Sequence, residues 1–255
     1  MKKLFLASMA TLCISASAFA ADLPVKAVPM APPEAIYNWT GIYIGAHAGW
    51  GWAKEDSVEL APGTTAFPTG TAFTGHNLSG PLGGVQGGFN WQVSQFVFGV
   101  EGEWSGMDIT GTATTVSTVN GFISTSAART KDLETVAGRL GYAVNNWLLY
   151  VKGGGAWSQG SSIGTGVLAS GRPFDTTTTS SDRSGWVVGV GFEWGFAPGW
   201  SAKLEYEHVD LGSTNITVLS SLGTTSFVNS TEKIDLVKAG VNYRFNWGGP
   251  VVAKY

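Results

Sequence analysis

The strongest constraint on this chain is an alternation of apolar and polar residues, with a period of two, that recurs beyond residue 38. In the segment 186–194, Trp, Val, Val, Phe and Trp occupy every second position, with Gly189, Gly191 and Glu193 among the positions between. This period predicts β-strands with two different faces. No apolar run approaches the roughly 18 residues that a membrane-spanning helix needs, and no long stretch has a helical period.

Eight segments share this pattern, and their lengths suit the roughly 9–11 residues of a tilted membrane strand. They cover 39–52, 83–92, 96–105, 133–144, 147–157, 184–195, 200–210 and 233–245. The connections alternate between long ones (53–82, 106–132, 158–183, 211–232) and short ones (93–95, 145–146, 196–199). Short periplasmic turns and long outer loops are typical of outer-membrane barrels. The sequence therefore predicts an all-β fold, an eight-stranded antiparallel up-and-down transmembrane β-barrel.

A soluble barrel would also alternate, but the positions of the 11 tryptophans favour a membrane. Most of them fall at the ends of the predicted strands, as in the two aromatic girdles that flank an apolar band in a bilayer. The predicted periplasmic girdle contains Trp39, Trp91, Trp147, Trp194 and Trp200, and the outer girdle contains Trp50, Trp52, Trp104, Trp157 and Trp186.

The N-terminus has the features of an export signal. Lys2 and Lys3 precede a short apolar stretch that ends in the small-residue motif Ala18-Phe19-Ala20. We predict a signal peptide over 1–20, a Pro-rich periplasmic linker over 21–37, and the barrel over 38–255. Cleavage after Ala20 removes Cys13, which leaves no cysteine for a disulfide or a thiolate metal site. The predicted location is the cell outer membrane of a Gram-negative bacterium.

The polar face of the predicted strands carries five acidic and five basic residues. They are Glu101, Glu103, Arg139, Lys152, Glu193, Lys203, Glu205, Glu207, Lys238 and Arg244. Closely spaced carboxylates such as Glu205 and Glu207 raise the hypothesis of a catalytic pair. An eight-stranded barrel has room only for its own side chains, however, and buried charges need partners, so an interior charge network is favoured.

Other candidate chemistry is sparse. His47, His76 and His208 lack the spacing of a metal-binding motif, and the Gly-x-Gly pairs lie within strands rather than before a helix. The sequence predicts no enzyme activity, no metal site and no cofactor.

Both ends of the barrel segment resemble a known family. The opening Trp39-Thr40-Gly41-Ile42-Tyr43-Ile44-Gly45 and the ending 241–255, VNYRFNWGGPVVAKY, are similar to those of alphaproteobacterial outer-membrane immunogenic or porin-like proteins. The resemblance implies an opacity-protein or OmpA-like barrel that is abundant and exposed on the cell surface. Such barrels end on an aromatic residue that the assembly machinery recognises, and here either Phe245 or Tyr255 could serve.

We therefore expect a structural and surface-interaction protein that binds through four extracellular loops, since loops on a rigid scaffold commonly carry function. One alternative is a narrow porin for ions or small solutes. Another, suggested by the resemblance, is a haemin-binding surface receptor, which would need His76 or loop aromatics such as Phe67, Phe73 and Phe122 to converge. Expected partners are outer-membrane lipid and lipopolysaccharide, the barrel-assembly machinery, and host or envelope surface molecules. A formal charge of −3 argues against nucleic acid.

Overall fold

A computed structural model describes residues 37–60, 72–116, 123–168, 170–178, 181–223 and 225–245. The predicted signal peptide, nearly all of the predicted linker, and Tyr255 lie outside these residues. No helix in the described ranges is long and apolar enough to cross a membrane.

The described residues form nine antiparallel strands. They are β1 (Gly41–Glu59), β2 (Ala72–Val93), β3 (Phe96–Val116), β4 (Ile123–Val144), β5 (Trp147–Val167), β6 (Pro173–Thr178), β7 (Ser181–Ala197), β8 (Trp200–Ser220) and β9 (Thr225–Phe245).

The strands close into a ring of eight. Consecutive strands pair from β1 to β5, β6 and β7 each pair with both β5 and β8, and β8 pairs with β9. β9 returns to pair with β1 from Ile42↔Phe245 to Glu59↔Val228. The short β6 does not add a ninth position, because β6 and β7 pair in succession with the outer and inner parts of β5. The predicted eight-stranded up-and-down barrel is therefore confirmed, with one position interrupted between β6 and β7.

The ring is staggered, as closure of a barrel requires. From Glu103 on β3, the register leads to Gly195 on β7 through β2, β1, β9 and β8. In the other direction around the ring, through β4 and β5, the register leads from Glu103 to Gly185 on β7. The two end points on β7, Gly195 and Gly185, are ten residues apart, and this difference is the stagger of the barrel. Closure leaves no free strand edge in this part of the wall, which satisfies the backbone polar groups in hydrocarbon.

Three tight hairpins join strands at one end, which we assign to the periplasm. Each has two residues between paired strand ends, at 94–95, 145–146 and 198–199. Ser94, Asn145 and Gly199 adopt positive φ values of 57°, 55° and 76°, as tight hairpin turns require. Both ends of the described barrel, Tyr37 and Phe245, lie at this same end.

The predicted strand lengths were wrong at the opposite end. The strands run far into the segments that the sequence analysis assigned to long loops, and β4 begins at Ile123 rather than at residue 133. These outer parts are rich in threonine, a β-branched residue that favours strands. Outward-facing apolar residues such as Ile123, Ile163 and Phe227 occur there only at scattered positions, so the continuous apolar–polar alternation sought in the sequence was absent.

Candidate functional site

The lumen is the candidate site, and its centre holds a network of buried charges. The structure places all ten predicted network residues on the inward side of the wall, each buried. They come from β3, β4, β5, β7, β8 and β9. The alternation of each strand determines this placement, because every second residue must face inward.

Lys152 of β5 occupies the middle of the network. Its Nζ lies 3.3 Å from Glu101, 2.9 Å from Glu103 and 3.0 Å from Glu205, and it also contacts Glu207. Within the described residues, Glu101, Glu103 and Glu205 are the only set of three carboxylates close enough to share a metal ion. The Lys152 ammonium group already contacts all three, so the arrangement is better suited to ion pairing than to a metal.

Two further lysines reinforce this arrangement from β8 and β9. Lys203 Nζ lies 2.7 Å from Glu103 Oε1, and Lys238 Nζ lies 2.5 Å from Glu103 Oε2 and 2.7 Å from Glu207. The hypothesis of a catalytic carboxylate pair gains no support here, because these carboxylates face lysines.

Arg139 of β4 extends the network towards the periplasmic end. Its guanidinium donates to the Tyr43 hydroxyl at 2.6 Å and to Glu193 at 3.0 Å. It also lies over the Tyr150 ring, with 3.9 Å from Cζ to the ring centroid. These contacts cross the lumen, so the network ties distant strands together.

An apolar layer lies on the extracellular side of the charge network. The sequence did not predict this layer. Along β9, successive inward residues are Glu232, Ile234, Leu236 and Lys238, so two apolar positions separate two polar zones. The layer comprises Ala53, Leu78, Leu82, Met107, Ile109, Ala128, Leu133, Ala137, Ala156, Val187, Val209, Leu211, Ile234 and Leu236.

Side chains from different strands meet inside this layer. A Cβ at Gly51 would lie 2.4 Å from Ile109 Cδ1 and 2.9 Å from Leu236 Cδ2, so only glycine leaves room for both. A dry constriction of this kind opposes the passage of water and ions.

The periplasmic mouth is filled by aromatic residues, and here the prediction for Trp39 was wrong. Trp39 is 0% exposed and lies inside the barrel rather than in the lipid-facing girdle. Its ring packs 4.5 Å from that of Tyr37, and the guanidinium of Arg244 lies 4.8 Å from its centroid. The prediction for Trp39 rested on its place at a strand end, whereas the alternation of β1, continued back to residue 39, puts it on the same face as the inward-facing Tyr43 and His47.

We expect the stacking of Arg244 on Trp39 to contribute measurably to stability. Replacing Trp39 by leucine keeps an apolar side chain but removes the π face, and the coupling to Arg244 should be about 1–2 kcal/mol. A double-mutant cycle with Arg244→Met, followed by urea unfolding in lipid vesicles, measures this coupling. Additive single effects would show that the stacking contributes nothing.

A second polar group, which the sequence pattern did not predict, lies in the outer lumen on the extracellular side of the apolar layer. Arg183 of β7 donates to Glu55 at 2.8 Å and lies 3.3 Å from Glu232. Glu232 also accepts from the Thr130 hydroxyl at 2.7 Å, which links β9 to β4 on the opposite wall. The small cavity among them, about 20 Å³, has room for one water molecule.

The outward face carries the other predicted girdle residues. Those on the membrane-facing surface are Trp50, Trp91, Trp104, Trp147, Trp157, Trp186, Trp194 and Trp200, together with Trp52. At the periplasmic end the rings of Trp147 and Trp194 stack 5.6 Å apart, and Trp200 contacts Tyr243 at 5.0 Å. Outward-facing Ile, Val, Leu and Phe side chains lie between the two groups.

The three histidines lie apart from one another. His47 is buried, with its ring nitrogens 2.6 Å from Gln86 and 2.8 Å from Ser105. His208 faces outward from the barrel wall, and its Nδ1 lies 2.8 Å from Asp235 Oδ1. The backbone of His76 pairs with Glu55, but its side chain and that of Phe73, like the whole of Phe67 and Phe122, lie outside the description, so the predicted haemin site is untested.

Comparisons with known proteins agree with this architecture. The family model described as "Outer membrane protein beta-barrel domain" matches residues 6–245. The 31 kDa outer-membrane immunogenic protein of Brucella melitensis is 31% identical over 260 residues, which cover 96% of this chain and all of that protein. The 22 kDa outer membrane protein of Rhizobium leguminosarum is 27% identical over 84% of this chain and 82% of its own length.

A solved structure also shares the fold. The outer membrane protease OmpT of Escherichia coli superposes with a TM-score of 0.52 at 10% identity, covering 82% of this chain and 98% of its own. At that identity the similarity concerns the fold alone.

Proposed function

This chain belongs to the outer-membrane β-barrel domain family, and from that premise we propose that it is a closed barrel that displays a binding surface outside the cell. The observation that carries the proposal is the closed lumen. Aromatic residues, a charge network and an apolar layer follow one another along its length. Because these three successive groups of side chains fill the lumen, the barrel is better suited to anchoring a binding surface in the membrane than to conducting ions.

The outer strands supply the displayed surface. Beyond Trp157 of the outer girdle, β5 continues for ten residues to Val167, which corresponds to roughly 33 Å of strand. This extension contains Ser158, Ser161, Ser162 and Thr165. Between the outer parts of β3 and β4, the hydroxyls of Thr114 and Thr125 form a hydrogen bond of 3.1 Å. A rigid, hydroxyl-rich support of this kind suits the binding of host or envelope surface molecules.

A catalytic role has less support. Within the described residues, the clustered carboxylates contact lysine or arginine, and the contact between His47 and Ser105 is buried in the lumen rather than in an open cleft. We therefore propose a non-enzymatic role.

The outer membrane itself provides two further proposed partners. The girdle tryptophans would lie at the headgroup level of the lipid and of lipopolysaccharide. Phe245 ends β9 on the outward face, beside Ile42 of β1 at the seam where the barrel closes. That position favours Phe245 over Tyr255 as the residue that the assembly machinery recognises.

Trimmed barrels test the display role. We expect the protein in lipid nanodiscs to bind members of an array of matrix proteins and glycans. Replacing residues 111–128 by Asn-Gly, between the paired residues Thr110 and Arg129, should abolish some of that binding. In a second variant, the segment between the paired residues Asn215 and Asn229 is shortened instead. This variant shows whether the loss of binding depends on which strands are shortened. Array binding that survives both trims in folded protein would contradict the proposal.

A further inference from the structure

The outer lumen contains an excess of negative charge. Above the apolar layer, the inward-facing charged residues that the structure describes are Glu55, Glu59, Glu232 and Arg183, three carboxylates against one guanidinium. Arg183 contacts both Glu55 and Glu232, which leaves Glu59 without a cation. The central network differs in this respect, because its five acids face five bases.

Glu59 is unusual because it is both buried and unpartnered. It is the last residue of β1, is 1% exposed, and faces inward opposite the buried Val228 of β9. Neither carboxylate oxygen has a hydrogen-bond partner, although the Ser226 hydroxyl is close enough to affect its pKa. Burying a charged carboxylate without a partner is strongly unfavourable.

No cation whose side chain the structure describes contacts Glu59. The undescribed outer residues 61–71, 117–122, 169, 179–180 and 224 include no lysine, arginine or histidine. The other outer cations are exposed, and two have acidic partners: Arg129 pairs with Asp108 and Lys233 with Asp210. His76 pairs in register with Glu55, four residues along β1 from Glu59, or roughly 13 Å.

The surroundings of Glu59 indicate the class of ligand. Calcium takes six to eight oxygen ligands, whereas Glu59 belongs to no cluster of three acidic or histidine side chains within the described residues. One carboxylate beside a hydroxyl and a valine suits an ammonium group on a short aliphatic chain, which brings both charge and apolar surface. We propose that the outer lumen binds an organic ammonium group from the extracellular side, with Glu59 as its counter-ion.

The proposal predicts a pH dependence with a definite sign. Burial raises the pKa of Glu59 to about 7, above its ordinary value of 4.5, and the Ser226 hydroxyl opposes part of this rise. Below pH 7 the folded protein therefore holds a proton at Glu59 more readily than the unfolded chain does. Without ligand, stability should increase as the pH falls from 7 towards 4.5, and it should decrease as the pH rises through 7. Binding of a cation should show the opposite trend, because it needs the ionised carboxylate.

The test uses n-propylammonium chloride and the full-length mature barrel in nanodiscs, with the urea unfolding midpoint as the measurement. At pH 8 we expect a saturable rise in the midpoint, which disappears at pH 5. Glu59→Gln should weaken the apparent affinity by at least about tenfold, through loss of a charge-assisted hydrogen bond. Asp56→Asn, which removes the neighbouring outward-facing acid, and His76→Gln should leave the affinity unchanged.

Several outcomes would overturn the inference. They are no saturable rise for the wild type at pH 8, an equal rise for Glu59→Gln, an equal rise with n-propanol, or a response to calcium in place of the amine. The loss of binding at pH 5 needs no variant, so the test remains valid if Glu59→Gln does not fold. The inference does not depend on array binding by the outer strands, so the two can fail separately.

Discussion

Replacing Lys152 by methionine should lower the free energy of unfolding by about 3–5 kcal/mol, the usual effect of removing one partner from a buried ion pair. Lys152 contacts Glu101, Glu103, Glu205 and Glu207, so its loss leaves several carboxylates in the lumen with too few cations. Methionine keeps the length and apolar character of the side chain, which limits the effect to the charge. Urea unfolding in lipid vesicles, followed by tryptophan fluorescence, measures the change.

A compensating variant separates charge imbalance from altered packing. Adding Glu207→Gln to Lys152→Met removes one negative charge and should recover part of the lost stability. If Lys152→Met alone lowered the free energy of unfolding by less than about 1 kcal/mol, the charge network would not be a set of buried ion pairs, because exposed ion pairs contribute only that much.

Arginine in place of Val190 should destabilise the membrane-embedded barrel by about 2–4 kcal/mol, as expected for a cation on the lipid face near the midplane. Val190 faces outward on β7, midway between Trp186 of the outer girdle and Trp194 of the periplasmic one. The same unfolding assay applies, together with the fraction of protein that folds into vesicles.

Thr165→Arg is the matched control for the lipid face. Thr165 also faces outward, but it lies on β5 eight residues beyond Trp157, in the part that we place outside the bilayer. This variant should fold as well as the wild type. Equal folding of Val190→Arg would mean that the assigned lipid face is wrong.

The membrane part of the fold was predictable from the sequence because two constraints act on every strand there. Lipid requires large apolar residues on one face, and the narrow lumen requires small or paired polar residues on the other. The three tight turns were also predictable, since each interrupts the alternation within a few residues, as at Asn145 and Asn146. The balance of five acids and five bases followed from the same alternation.

The features that were not predicted lie where one of these constraints is missing. Outside the bilayer no lipid face exists, so the outer strands were assigned to loops, and the inward positions of Glu55, Arg183 and Glu232 were overlooked. Trp39 was assigned to the girdle from its place at a strand end, although its register with the inward-facing Tyr43 and His47 of β1 indicates the inner side of the wall. The apolar layer was not predicted because small inward residues such as Ala53 and Ala156 do not stand out from the other inward positions in the sequence. Their packing partners also come from strands that are distant along the chain.

The central claim is that the lumen is closed, and current through a single barrel in a planar lipid bilayer tests it most directly. The refolded mature protein, shown to be folded by a heat-sensitive gel shift, should produce no current steps above those of bilayer alone. Reproducible steps from the folded wild type would contradict the account, since ions would then cross an apolar layer that we describe as a barrier.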